Sequence, residues 1–209
     1  MSAVAYSILL SGAKPIFADI DENSLNIDPT SVEKRITKNT KAIICVSLYG
    51  LPPNYTALKK IIKSYKKKIY LIEDNAECVM GRYKKKIAGS FGDFSMFSFQ
   101  SSKVLTCGEG GIIVTNDKRL WEKAKVYSNL GYYISKKTYR QTRINLQNTN
   151  FKRHKVLGYK YSLSDISAAI VYGQLKKINL LCKIRNDCGK EYKKIINKFS
   201  FIKTQEYSQ

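Results

Sequence analysis

A single histidine, His154, in 209 residues leaves little room for chemistry that depends on imidazole. Zinc frameworks, and serine or cysteine nucleophiles activated by histidine, are excluded at any other position. Cysteine is sparse as well. Cys45, Cys78, Cys107, Cys182 and Cys188 form an odd set with no Cys-x-x-Cys pair, which points to free thiols in a reducing, cytoplasmic compartment. No apolar run approaches the roughly 18 residues that span a bilayer, so no membrane partner is expected. The apolar opening from Ser2 to Leu10 has no basic region before it and does not read as a signal peptide. Proline numbers only 4, and no Pro/Ser/Gly-rich linker or internal repeat marks a domain boundary. Acidic residues are the last scarcity, 16 against 37 Lys and Arg, for a formal charge of +21. That excess admits nucleic acid or another anionic partner, and equally a drift of composition toward Lys, Ile, Asn and Tyr. Residues 1–117 hold 16 basic and 11 acidic side chains and residues 118–209 hold 21 and 5, so the excess belongs to the second half.

Short apolar runs alternate with amphipathic stretches through the first half. Pro15–Asp19 reads as a strand after a turn at Gly12, and Lys41–Ser47 and Ile69–Glu73 read as buried strands. Asp28-Pro-Thr-Ser carries capping chemistry for a helix containing Val32 and Ile36, and Tyr55–Ser64 has helical spacing through Leu58, Ile61 and Ile62. Gly111–Thr115 is a further strand, and Asp117 caps a helix through Trp121 and Ala124. Strands alternating with helices predict an α/β fold built on a parallel sheet. Leu163–Lys194 reads as largely helical, and the polar, basic stretch from Tyr132 to Lys155 as an exposed excursion.

In parallel α/β sheets, ligands bind beyond the carboxyl ends of the strands. Asp74 stands there, directly after an apolar strand, and its carboxylate suits either a helix cap or a ligand. Lys103 lies among apolar and small residues in Ser98-Phe-Gln-Ser-Ser-Lys-Val-Leu-Thr-Cys-Gly-Glu-Gly-Gly111. Such surroundings disfavour the ammonium form, as an amine nucleophile requires; a surface lysine in a turn fits the same position. Gly108, Gly110 and Gly111 permit a tight turn or a close ligand approach.

Taken together and in order, the segments Gly12-Ala-Lys-Pro-Ile-Phe-Ala-Asp-Ile-Asp21, Tyr49-Gly50, Ile72-Glu-Asp-Asn-Ala-Glu77, Gly89-Ser-Phe-Gly-Asp-Phe94 and Ser98–Gly111 resemble the DegT/DnrJ/EryC1/StrS sugar aminotransferases. A weaker match continues at Gly158-Tyr-Lys-Tyr-Ser-Leu-Ser-Asp-Ile-Ser-Ala-Ala169. The Phe-Gln-Ser-Ser-Lys wording is most similar to perosamine-synthase-like members. The resemblance implies the three-layer αβα large domain of pyridoxal-phosphate-dependent transferases, with a mostly parallel sheet, followed by helical segments. Residues 1–180 would be a partial large domain and 181–209 the start of an incomplete small domain. It also implies pyridoxal 5'-phosphate as cofactor. Lys103 would carry it and shuttle the proton, Asp74 would pair with its pyridine nitrogen, Glu77 would lie near its ring hydroxyl, and Ser98 would contact its phosphate. The implied reaction moves an amine from an amino-acid donor, glutamate by family habit, to a nucleotide-linked keto-sugar in amino-sugar and polysaccharide biosynthesis. The implied assembly is a homodimer, or a heterodimer with a relative.

Departures from the pattern set further expectations. Family members are nearly twice this length, so the chain is expected to be truncated at both ends and to lack the upstream helix N-terminus that cradles the phosphate. Lys160 and Ser162 stand where the family often has asparagine and arginine. The alternative function is therefore a catalytically incomplete remnant that partners a full-length relative. Nucleic-acid binding ranks last: the clusters Lys66–Lys68 and Lys84–Lys86 read as solvated faces or turns. His154 matches no family role and reads as solvated.

Overall fold

The computed structural model describes residues 2–132, 150 and 154–206. Its centre is a four-stranded sheet in the order β1 (Ala42–Val46), β2 (Tyr70–Asp74), β5 (Phe94–Ser98), β6 (Gly111–Val114). β1, β2 and β5 run parallel, with Ala42 opposite Tyr70, Val46 opposite Asp74, and Asp74 opposite Met96. The edge strand β6 is antiparallel to β5, so that Ser98 faces Gly111. A mostly parallel sheet flanked by helices is the α/β architecture that the sequence implies.

The connections follow local chemistry. The Asp28 carboxylate accepts the Thr30 and Ser31 amides and starts α2 (Pro29–Arg35), with proline in the first turn. The Asn54 side chain accepts the Ala57 N–H and starts α3 (Tyr55–Ser64). Both helices pack on one face of the sheet, where Val32, Ile43, Cys45, Tyr55, Leu58, Ile69 and Leu71 form the main core. The alternation of β1 shows this directly, since Ile43 and Cys45 are buried while their neighbours are half-exposed. Tyr55 stacks on Phe91 with ring centroids 4.4 Å apart and meets Tyr83 edge-on.

Strands β3 (Arg82–Tyr83) and β4 (Lys86–Ile87) form a small hairpin. Its turn residues Lys84 and Lys85 both have positive φ, the conformation that a two-residue hairpin turn demands. The lysine run is thus a turn, as expected. Helix α4 (Lys118–Ser128) starts at Asp117, which accepts the Arg119 and Leu120 amides. The second half supplies α5 (Asp165–Leu175) and α6 (Ile178–Ile196), and the latter runs unbroken through position 180. A second cluster joins Phe99 and Leu105 to Val171 of α5 and Ile178 of α6.

One expected strand is corrected. Pro15–Asp19 is extended but joins no ladder, and only an isolated bridge, Ile20 to Ile27, follows it. Its β-like residues have no strand beside them; instead the Asp19 amide donates to Ser31 Oγ and its carbonyl accepts the Asp28 amide. Most of the excursion expected between Tyr132 and Lys155 lies outside the described residues. Among the described residues no helix is long and apolar enough to cross a membrane.

Candidate active site

Four parallel or adjacent chain segments deliver polar side chains to the carboxyl end of the sheet. Asp74 is the last residue of β2 and only 6% exposed. Burial pushes its carboxyl above the ordinary 3.8; the Glu77 charge acts in the same direction, while the Ala76 amide and the Lys103 ammonium oppose it. No helix begins here. One Asp74 oxygen accepts the Ala76 N–H at 3.0 Å and closes a short turn, so the helix-cap alternative does not describe this carboxylate.

Glu77 follows on that turn. Its Oε2 accepts the Tyr49 N–H at 3.0 Å, and its Oε1 lies 3.6 Å from Lys103 Nζ. Tyr49 sits in the left-handed region with φ 53°, in the 3₁₀ turn Leu48–Gly50 that ends β1. That conformation aims its amide at the carboxylate and leaves the ring exposed. The carboxyl ends of β1 and β2 are therefore joined through Glu77.

Lys103 lies in the loop between β5 and β6. Phe99 closes this loop: its carbonyl accepts the Cys107 N–H and the Thr106 hydroxyl, and its amide donates to Gly110. The Lys103 side chain is 19% exposed and paired with Glu77, which sets it apart from the lysines of the solvated clusters. Ser98 ends β5. It lies two residues beyond Met96, the ladder partner of Asp74, about 6.6 Å further along the strand, and its Oγ accepts the Gln100 N–H at 3.3 Å.

Two residues that the sequence reading did not single out hold this edge from behind. Glu73 is fully buried on the core side of β2. Its Oε1 accepts the amides of Phe91 and Gly92, at 2.7 and 2.5 Å, and its Oε2 accepts that of Gly89 at 2.7 Å. Gly92 is required for that approach, since a Cβ there would stand 2.7 Å from the Leu71 and Phe94 carbonyls. Asn75, also fully buried, accepts from the Ser47 hydroxyl at 2.7 Å and donates to Ser95 Oγ at 2.8 Å, tying β1, β2 and β5 together. The signal was present as three consecutive polar residues, Glu73-Asp74-Asn75, at the end of an apolar strand.

The remaining candidates fall elsewhere. His154 is exposed, as expected, but its Nδ1 is 2.6 Å from the Leu130 carbonyl oxygen and its ring lies 4.4 Å from that of Tyr132. Lys160 is exposed and donates to Ser162 Oγ at 3.3 Å. Lys68 pairs with Asp93, and Lys67 donates to the Thr37 and Thr40 carbonyls, so that cluster is partly engaged by the fold.

Comparison with known proteins identifies the family. The pattern of the DegT/DnrJ/EryC1/StrS aminotransferase family matches residues 1–209. GDP-perosamine synthase of Escherichia coli O157:H7 is 36% identical over 191 residues, 91% of this chain and 48% of that protein. The solved structure of Helicobacter pylori PseC, an aminotransferase involved in the biosynthesis of pseudoaminic acid, superposes with a TM-score of 0.81 at 31% identity. The match covers 94% of this chain and 49% of that one. The E. coli GDP-4-keto-6-deoxy-D-mannose-3-dehydratase with bound hydrated PLP superposes with a TM-score of 0.83 at 28% identity, over 98% of this chain and 53% of that one. The chain thus spans about half the length of the relatives it matches.

Proposed function

The chain belongs to the DegT/DnrJ/EryC1/StrS aminotransferase family, and from that premise we propose that it serves pyridoxal-phosphate-dependent transamination of a nucleotide-linked keto-sugar. The amine comes from an amino-acid donor, glutamate, in amino-sugar and polysaccharide biosynthesis in the cytoplasm. The observation that carries this reading is the placement of a buried carboxylate, Asp74, beside the paired Glu77 and Lys103 at one sheet edge.

The residues present fit the cofactor. A carboxylate held out of water gains from a cation in contact with it, which a protonated ring nitrogen would be; Asp74 would in turn keep that nitrogen protonated. When bound, pyridoxal phosphate supplies a conjugated ring that takes up the electrons of a breaking C–H bond. Lys103 Nζ is the amine that holds the cofactor and moves the proton. In this reading Glu77 would lie near the ring hydroxyl, and the Ser98 hydroxyl would contact the phosphate. The PLP-bound dehydratase and the perosamine synthase among the relatives support the cofactor and the sugar class. Residues 1–180 act as part of the large domain and 181–209 as the start of the small one.

A dimer, of two copies or with a relative, belongs to the same reading. α1 (Ser2–Leu10) is largely apolar and buries none of its residues, and α5 exposes Ile166, Ile170 and Tyr172. Helices apolar around their circumference are stable when covered.

Incubation with pyridoxal phosphate, borohydride reduction and peptide mapping tests the proposal. Label fixed on Lys103, and lost in Lys103→Ala, is the expected result. No spectral change and no label at saturating cofactor would remove independent cofactor binding by this chain.

A further inference from the structure

The segments that carry Lys103 and Glu77 are each contacted by a glutamine distant in sequence. On the lysine side, Gln174 of α5 meets the backbone of Thr106, three residues past Lys103. Gln174 Oε1 accepts the Thr106 N–H at 2.9 Å, and its Nε2 donates to the Thr106 carbonyl at 2.7 Å. This two-point clasp reproduces a strand-like pairing across 68 residues of sequence. On the glutamate side, Gln205 Nε2 donates to the Leu48 carbonyl at 3.0 Å and to the Ser24 carbonyl at 2.6 Å. The Glu206 amide donates to Asn23 alongside. Leu48 immediately precedes Tyr49, whose N–H holds Glu77. Buried Asn26 grips the same turn at both ends, accepting the Leu48 N–H and donating to the Leu51 carbonyl.

We propose that Gln174 and Gln205 are positioning residues: two side-chain amides from the helical second half that fix the lysine loop and the Tyr49 turn, and so set the Glu77–Lys103 pair. The inference rests on the reading of Lys103 and Glu77 as the cofactor site for its purpose, but not for its geometry. A neutral amide is the side chain for this work, because each clasp needs an N–H donor aimed at a carbonyl. Glutamate at either position keeps the shape and turns the donor into a charge facing carbonyl oxygens. Methionine keeps the length and removes the polarity.

The test uses the full chain and needs no cofactor. In Gln205→Met and Gln205→Glu the Tyr49 amide should exchange with solvent about tenfold faster, and in Gln174→Met, which removes its acceptor, the Thr106 amide should do so. Amides in the β1–β2 ladder should be unchanged, which distinguishes local release from unfolding. Acylation of Lys103 by a small amine reagent, followed by peptide mapping, reads the pair itself. All three variants should move the Lys103 rate in the direction that Glu77→Gln moves it, by about threefold or more.

Unchanged exchange at Tyr49 and Thr106 overturns the inference, as does a Lys103 rate that responds to Glu77→Gln but to none of the glutamine variants. A Lys103 rate indifferent to Glu77→Gln overturns it too, because the pair would not exist in solution. If the variants behave as expected while pyridoxal phosphate never labels Lys103, the functional reading fails and the positioning role stands.

Discussion

Glu73 offers the sharpest test of how the candidate site is supported. Its carboxylate is fully buried, and three backbone amides from Gly89, Phe91 and Gly92 converge on it. Truncation in Glu73→Ala leaves those part-buried donors without their acceptor. Each abandoned buried donor costs about 1–3 kcal/mol. Partial relaxation of the Gly89–Gly92 loop makes the total less than the sum, at about 4 kcal/mol. Glu73→Gln is the informative partner. Its remaining oxygen can serve Phe91 and Gly92, but the new NH₂ then faces the Gly89 amide, donor against donor, which costs roughly 1–3 kcal/mol. Urea unfolding followed by circular dichroism should rank the variants as wild type above Glu73→Gln above Glu73→Ala. Exposed Glu22→Gln should stay within about 0.5 kcal/mol of wild type. Amide exchange should rise at Gly89 alone in the glutamine variant and at all three positions in the alanine variant. An unfolding midpoint for Glu73→Ala equal to that of wild type would refute the reasoning.

Asp74→Asn should raise the melting temperature at pH 8. Burial lifts the folded-state pKa of Asp74 above its ordinary 3.8, so its contribution to stability is full below that value and is lost as pH rises through the raised one. The gain from asparagine should therefore vanish toward pH 4; a gain of the same size at both pH values would deny burial as its cause. Asp28→Ala removes the acceptor for the Thr30 and Ser31 amides and should cost about 1 kcal/mol in chemical denaturation. Asp28→Ser should recover most of that loss. Leu58→Ala, in the fully buried centre of α3, should cost about 3 kcal/mol; a loss under 1 kcal/mol would mean that α3 does not pack through Leu58.

What the sequence made legible was whatever is encoded over a few residues. Asp28 and Asp117 stand before their helices, the periodicity of α3 is visible, and the apolar runs of β1 and β2 announce themselves. Pro15–Asp19 misled because an extended stretch of β-formers becomes a strand only with a neighbour, and no local pattern shows whether one arrives. The direction of β6 was hidden for the same reason. Asp74, Glu77, Ser98 and Lys103 were named through resemblance, and the structure brings Asp74, Glu77 and Lys103 together. Their supports at Gln174 and Gln205 were not legible, because each clasp joins a lone glutamine to backbone atoms 68 to 181 residues away, and backbone atoms carry no residue identity.

Two carboxylates adjacent in sequence take different work from the pleat of one strand. Successive side chains on β2 leave opposite faces. Glu73 therefore turns inward with Leu71, toward Tyr55 and the core under α2 and α3, and its charge is held by amides of its own chain. Asp74 turns the other way and meets one amide, from Ala76, with Lys103 and Glu77 acting on it by charge. Exchanging the two positions would therefore not exchange their roles. The Glu73→Asp,Asp74→Glu double variant keeps both charges but shortens one side chain and lengthens the other. The shorter carboxylate falls away from the Gly89–Gly92 amides and the longer one intrudes on Lys103. It should lose the stability of a Glu73 truncation and the Lys103 reactivity of wild type together. If it retained both, pleat and reach would not be what separates the surroundings of the two carboxylates.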